Sequence, residues 1–199
     1  MKKCILILIV SLSSLCCLFA AGGYYEKGDT LFTFDAGIVC PVFLKFTNND
    51  DFDFLAGADD MHSTIGGVAG ISYQSYISRY WALGAELDYA FVNSKSGLNF
   101  AQIPISAKLT YTPVQTGKFD LNLNANLGIA FLKYNGNTTL SPVFAQISIN
   151  PVYYFGSSWG LGLECGIWAD AELYFTEPKK ADNCIASFAP VTLTLCYRH

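Results

Sequence analysis

Nine charged side chains, Asp35, Lys45, Glu86, Asp88, Lys108, Asp120, Glu164, Asp170 and Glu172, recur on the polar side of stretches where apolar and polar residues alternate. Shared parity places such residues on one face of a sheet. Carboxylates outnumber lysines in the set, so two chemistries are open. One is a cation-preferring path or proton relay; the other is a packed network of salt bridges. Like charges held together out of water must pair with a cation or give up their charge, which sets Lys108 among several carboxylates. A second group lies in one segment, TNNDDFDFLAGADDMHS, residues 47–63. It carries Asp50, Asp51, Asp53, Asp59, Asp60 and His62. Such a loop can bind Ca²⁺ weakly, gather a ligand or touch a host surface, although it lacks the EF-hand arrangement of a central Gly and a terminal Glu. His62 stands near Asp59, Asp60 and Ser63. Neighbours in one loop do not make a triad, because the fold must hold the base in reach of its nucleophile. No catalytic residue, metal or cofactor is expected.

The elements that carry these residues are strands. From Phe119 to Phe131 every odd position is apolar, while Asp120, Asn122, Asn124, Asn126 and Gly128 fill most even ones. A period of two is a strand with one apolar and one polar face. At roughly 3.3 Å per residue the run is long enough to cross a hydrocarbon core while tilted. The same alternation predicts strands at 30–46, 64–78, 81–93, after 97, at 119–132, 142–155 and 159–175, and a last one ending the chain. Tight turns are expected at 78–80, 113–118 and 156–158, a long loop at 47–63, and shorter loops at 94–97, 134–141 and 176–182. Asn135-Gly136 is a strong turn signal. Pro104, Pro151 and Pro190 should weaken the local ladder and would suit bulges.

Eight antiparallel strands joined alternately by turns and loops follow the outer-membrane pattern, with both termini at the turn end. Strand edges in lipid leave N–H and C=O groups without partners, so the sheet must close. The fold class is therefore all-β, an eight-stranded antiparallel transmembrane β-barrel. Hydrophobic residues make up 52% of the 199, yet they are spread as alternation and not gathered into a membrane helix. A soluble barrel would turn the same alternation inside out. The polar face decides against it, being rich in Gly, Ser, Asn and Thr, which suit a lumen only wide enough to be filled by side chains. Aromatics such as Phe32, Trp81, Phe91, Phe119, Phe155 and Trp159 stand near strand ends on the apolar face, as an interfacial girdle would. That narrow lumen also favours the salt-bridge network over an ion path.

Residues 1–22 read as a cleaved signal peptide, a basic start followed by apolar runs and small residues, leaving 23–199 as one barrel domain. Lipidation at Cys16 or Cys17 is the rival reading of that leader. Downstream, Cys40, Cys165, Cys184 and Cys196 sit where strand parity argues against disulfides, so free thiols are expected. A net charge of −4 suggests no nucleic-acid partner.

The blocks WALGAELDYAF, QIPISAKLTYTP and FDLNLNANLGIAFL, with the terminal VTLTLCYRH, give the chain its likeness to a known group. It resembles the small eight-stranded outer-membrane proteins, the superfamily that includes the OmpA transmembrane domain, OmpX, OmpW and the opacity proteins. The resemblance implies a last strand read by the barrel assembly machinery. Leu193, Leu195 and Tyr197 match that pattern, and His199 stands where Phe is usual. It also implies a location in the bacterial outer membrane, facing lipid. By likeness to OmpW the implied function is a narrow channel for small, hydrophobic compounds, marked by a lateral opening near Pro104 or Pro151. The alternative is a surface-exposed structural or adhesive protein with a plugged lumen, whose loops bind host components.

Overall fold

The computed structural model describes residues 25–46, 65–93, 99–134, 137–171 and 184–199. They form β1 (Thr30–Phe46), β2 (Gly66–Tyr76), β3 (Trp81–Asn93), β4 (Asn99–Gln115), β5 (Phe119–Tyr134), β6 (Asn137–Tyr154), β7 (Trp159–Ala171) and β8 (Cys184–Arg198). Each strand pairs antiparallel with the next, and β1 pairs with β8, so the sheet closes into a barrel without a free edge. Among the described residues no helix is long and apolar enough to cross a membrane. The strands do the crossing.

Alternation decides which side faces out. Leu127, Ile147 and Leu193 are 66%, 65% and 61% exposed on the outer face. Their sequence neighbours Asn126, Gln146, Thr192 and Thr194 are buried in the lumen. This is the inverse of a soluble barrel, and only an apolar solvent makes it stable. On the outside at the turn end, Trp81 lies 4.7 Å from Tyr111 and Trp159 lies 4.8 Å from Tyr197, ring centre to ring centre. Such amphipathic rings settle at a membrane–water boundary.

Several boundaries differ from those expected. β4 runs on through Pro113 to Gln115, because a bulge between Tyr111 and Val114 absorbs the proline. β6 starts at Asn137, and the register pair Tyr134↔Asn137 leaves only residues 135–136 between β5 and β6. The Asn-Gly signal therefore connects two long strands directly, where a loop over 134–141 was expected. The strand expected at 159–175 is described to Ala171; Leu173 and Phe175 lie outside the described residues.

The three prolines expected at bulges behave differently. Register shifts fall between Pro41 and Phe43, between Tyr111 and Val114, and opposite Gly128 and Ala130. Around Pro104 the β3–β4 pairing stops at Leu87↔Ile105 and resumes in the same register at Ala90↔Gln102. Around Pro151 the β6–β7 pairing stops at Ile149↔Cys165 and resumes at Val152↔Gly162. Around Pro190 the β7–β8 pairing stops at Cys165↔Val191 and resumes at Trp168↔Phe188. Proline removes a donor without adding a residue, so the ladder loses bonds while the register holds. The ladder weakens there as expected, but no bulge forms.

Candidate functional site

The barrel interior is the candidate site, and it is built in three levels. At the turn end the chain before β1 folds back into the mouth. Gly28 takes a φ of 104°, a conformation that side chains resist, and its N–H donates to Tyr76 O at 2.9 Å. This turn seats Tyr25, which is 3% exposed, flat against Tyr76 with ring centres 3.8 Å apart. The Tyr25 hydroxyl donates to Asp120 Oδ2 at 2.6 Å and lies 3.1 Å from the Tyr154 hydroxyl. Burial, followed by the neighbouring Tyr76 and Tyr154 and the Asp120 charge, pushes that hydroxyl well above the usual tyrosine range, so it stays a neutral donor. Arg198 closes the level. Its guanidinium stacks 3.6 Å from the Tyr154 ring centre and lies 3.6 Å from Asp120 Oδ2. It also donates to the carbonyls of Ser157 and Gly117 at 2.9 and 2.5 Å.

The middle level is polar. Lys108 donates to Glu86 Oε2 and lies 3.9 Å from Glu164 Oε2. Asn126 donates to Glu86 Oε1 at 2.6 Å. Ser148 and Gln146 donate to Glu164 Oε1 at 2.6 and 3.3 Å, and Asn150 reaches Oε2 at 3.4 Å. A chain from Gln74 to Thr110 to Asn124 to Ser148, at 2.7, 2.7 and 3.1 Å, extends this cluster around the interior to β2. A charge in a low-dielectric interior is tolerated only when paired and hydrogen-bonded, and these residues supply both. The third level is apolar. Val39, Val68, Leu132, Phe144, Trp168 and Phe188 pack together, with the Phe100 ring stacked 5.5 Å from Phe188. Between this plug and the carboxylates a cavity of about 10 Å³ remains.

A protein-family model matches residues 20–197. No curated protein matches the sequence. Among solved structures, Neisserial surface protein A (NspA) is similar with a TM-score of 0.53 at 14% identity, over 86% of this chain and 97% of that one. OprG from Pseudomonas aeruginosa gives a TM-score of 0.46 at 9% identity, over 88% of this chain and 97% of that one. Ail of Yersinia pestis gives 0.43 at 10% identity, over 88% of this chain and 100% of that one. The chain shares the fold of the small eight-stranded outer-membrane β-barrel proteins.

Within this barrel the expected charged residues divide by level. Glu86, Asp88, Lys108 and Glu164 are buried together in the middle, with the half-buried Asp35 beside them. Asp120 is not part of that cluster; it belongs to Tyr25 and Arg198 at the turn end. Asp170 is buried at the opposite end, register-paired with Phe144 and Ala186 of the apolar plug. Lys45 is register-paired with Ile185 beyond the β1 bulge, and its side chain lies outside the described residues. Glu172 lies outside them too, as do Asp50, Asp51, Asp53, Asp59, Asp60 and His62. Cys40, Cys165 and Cys196 are free thiols. Sequence reasoning missed Tyr25, which belongs to no alternating run and offered no signal. It placed Arg198 on the polar face of the last strand without giving it a role; a lone cation at a strand end was the available clue.

Proposed function

We propose that this protein is a closed, surface-exposed structural or interaction protein of the bacterial outer membrane, whose barrel holds its loop-end connections at the cell surface. The observation that carries this reading is the filled lumen. Tyr25 and Arg198, then Lys108 with its carboxylates, then Phe144, Trp168 and Phe188 occupy successive levels, and the cavity between the carboxylates and the apolar plug is about 10 Å³. That is room for roughly one water, not for a solute. The acidic residues Asp50, Asp51, Asp53, Asp59 and Asp60, with His62, are the proposed contact for host or extracellular components or Ca²⁺. Residues 1–22 are proposed to serve as the cleaved export signal. Leu193, Leu195 and Tyr197, which line the outer face of β8, are the proposed mark for the assembly machinery.

A planar lipid bilayer tests the closed barrel directly. Refolded mature protein should insert stably and carry no current. Reproducible small conductance steps from the unmodified protein would overturn the reading. Transport of small molecules is the second reading, favoured by the ladder gaps at Pro104, Pro151 and Pro190, which are weak points between strands. It calls for movement of an apolar solute through the wall. Vesicles carrying the protein should then take up such a solute faster than empty vesicles, even with no ionic current.

A further inference from the structure

Lys108 is shared between Glu86 and Glu164, and polar side chains satisfy both carboxylates further. Two more carboxylates stand beside this cluster with no ion pair among the described residues. β1, β2 and β3 carry Asp35, Gly70 and Asp88 in one register row. Gly70 has no side chain, and both aspartates fold over it. A Cβ at that position would collide with Asp88 Oδ1 and would lie 2.8 Å from Asp35 Oδ2. Asp88 is 3% exposed, and its Oδ2 has no hydrogen-bond partner among the described residues. Asp35 and Asp88 wall the 10 Å³ cavity together with Glu86 and Glu164. Trp168 forms another wall, and its indole N–H also lacks an acceptor among the described residues.

The charges facing this pair come from three elements: Glu86 on β3, Lys108 on β4 and Glu164 on β7. The other strands contribute neutral groups, Ser72 from β2, Asn126 from β5, Gln146 from β6 and Thr192 from β8. Lys108 is thus already outnumbered before Asp35 and Asp88 are counted. We infer that Asp35 and Asp88 form a proton-binding site, the two carboxyl groups holding one proton between them in the folded barrel at neutral pH. Two carboxylates that share a site out of water do not both stay ionised, and one proton joins them by a strong, charge-assisted hydrogen bond. Ca²⁺ or Mg²⁺ needs about six or more oxygen ligands with its waters, and a cavity with room for one water cannot seat that shell. The site does not depend on whether the barrel conducts.

Infrared spectroscopy of the refolded mature protein at neutral pH tests the inference, with the aspartate carboxyl carbons isotopically labelled to separate them from glutamate. The unmodified protein should show the carbonyl band of a protonated aspartic acid. That band should vanish in Asp35→Asn and in Asp88→Asn, because each variant leaves one carboxylate that can ionise against the new amide. A spectrum of the unmodified protein without the band would overturn the site. So would a band that survives at full intensity in either refolded variant, since the proton would then belong to Asp120, to Asp170 or to one aspartate alone. Where Asp88→Asn does not refold, Asp35→Asn at the half-buried partner carries the same test.

Discussion

At the scale of single residues, Lys108 and Tyr25 do the most to hold the interior together. Lys108 is 3% exposed and is the shared cation of Glu86 and Glu164. Replacing it with an uncharged chain of similar length strands two buried carboxylates. Lys108→Met should therefore destabilise the barrel by about 3–5 kcal/mol, read as a lower urea midpoint in detergent micelles. An unchanged midpoint would mean that the network contributes packing alone. Tyr25 acts through its hydroxyl and its ring. Tyr25→Phe keeps the stacking on Tyr76 and removes the donor to Asp120. That change should lower stability by about 1–3 kcal/mol, the cost of leaving a buried charged acceptor short of a donor. Should the midpoint of Tyr25→Phe match the parent while Tyr25→Ala falls, the ring and not the hydrogen bond holds the segment in the mouth.

At the scale of elements, the pairing pattern separates two effects of proline that the sequence alone merges. A bulge needs an extra residue on one strand, as at Thr112-Pro113, where Tyr111 and Val114 pair with Leu123 and Leu121. Pro104 brings no extra residue, and its position continues to pair with Ala130 on the β5 side. Only the bonds toward β3 are lost. Pro104→Ala restores the missing N–H and should extend protection from amide hydrogen exchange across residues 88–89 and 103–104. Exchange at position 104 as fast as in an open loop would show that something other than the absent donor keeps β3 and β4 apart. β7 meets such gaps on both sides, near Pro151 and near Pro190, so its Leu163–Ile167 stretch lacks pairs toward each neighbour.

At the scale of the whole molecule, the barrel reverses the usual order of burial. Its exposed face carries Leu83, Leu127, Ile147 and Leu193, and its buried face carries Glu86, Lys108, Asn126 and Glu164. Membrane burial of the outside and hydrogen bonding of the inside are thus separate sources of stability. Because the sheet has no edge, every strand is tied on both sides, and a fault in one interior level does not open the wall. Lys108→Met should accordingly lose stability without acquiring conductance in a planar bilayer, since the levels of Tyr25 and of Trp168 still close the lumen. A variant that conducts would make the middle level the gate.

Strand number, antiparallel order and the facing of nearly every side chain were legible in the sequence. A period of two assigns a residue to a face without knowledge of its partners, and Glu86, Asp88, Lys108 and Glu164 could be placed inside on that ground alone. Height along the barrel was not legible in the same way. Which of the inward carboxylates meet Lys108 depends on the stagger between strands, and the bulges after Pro41, at Thr112-Pro113 and opposite Gly128 and Ala130 alter that stagger locally. Only the closed structure could separate Asp120, held by Tyr25 and Arg198, from the Lys108 cluster. Only it could bring residue 25, outside every strand, against Tyr154 on β6. Periodicity is a local property of the chain, whereas the register of a closed sheet is set by all its strands at once.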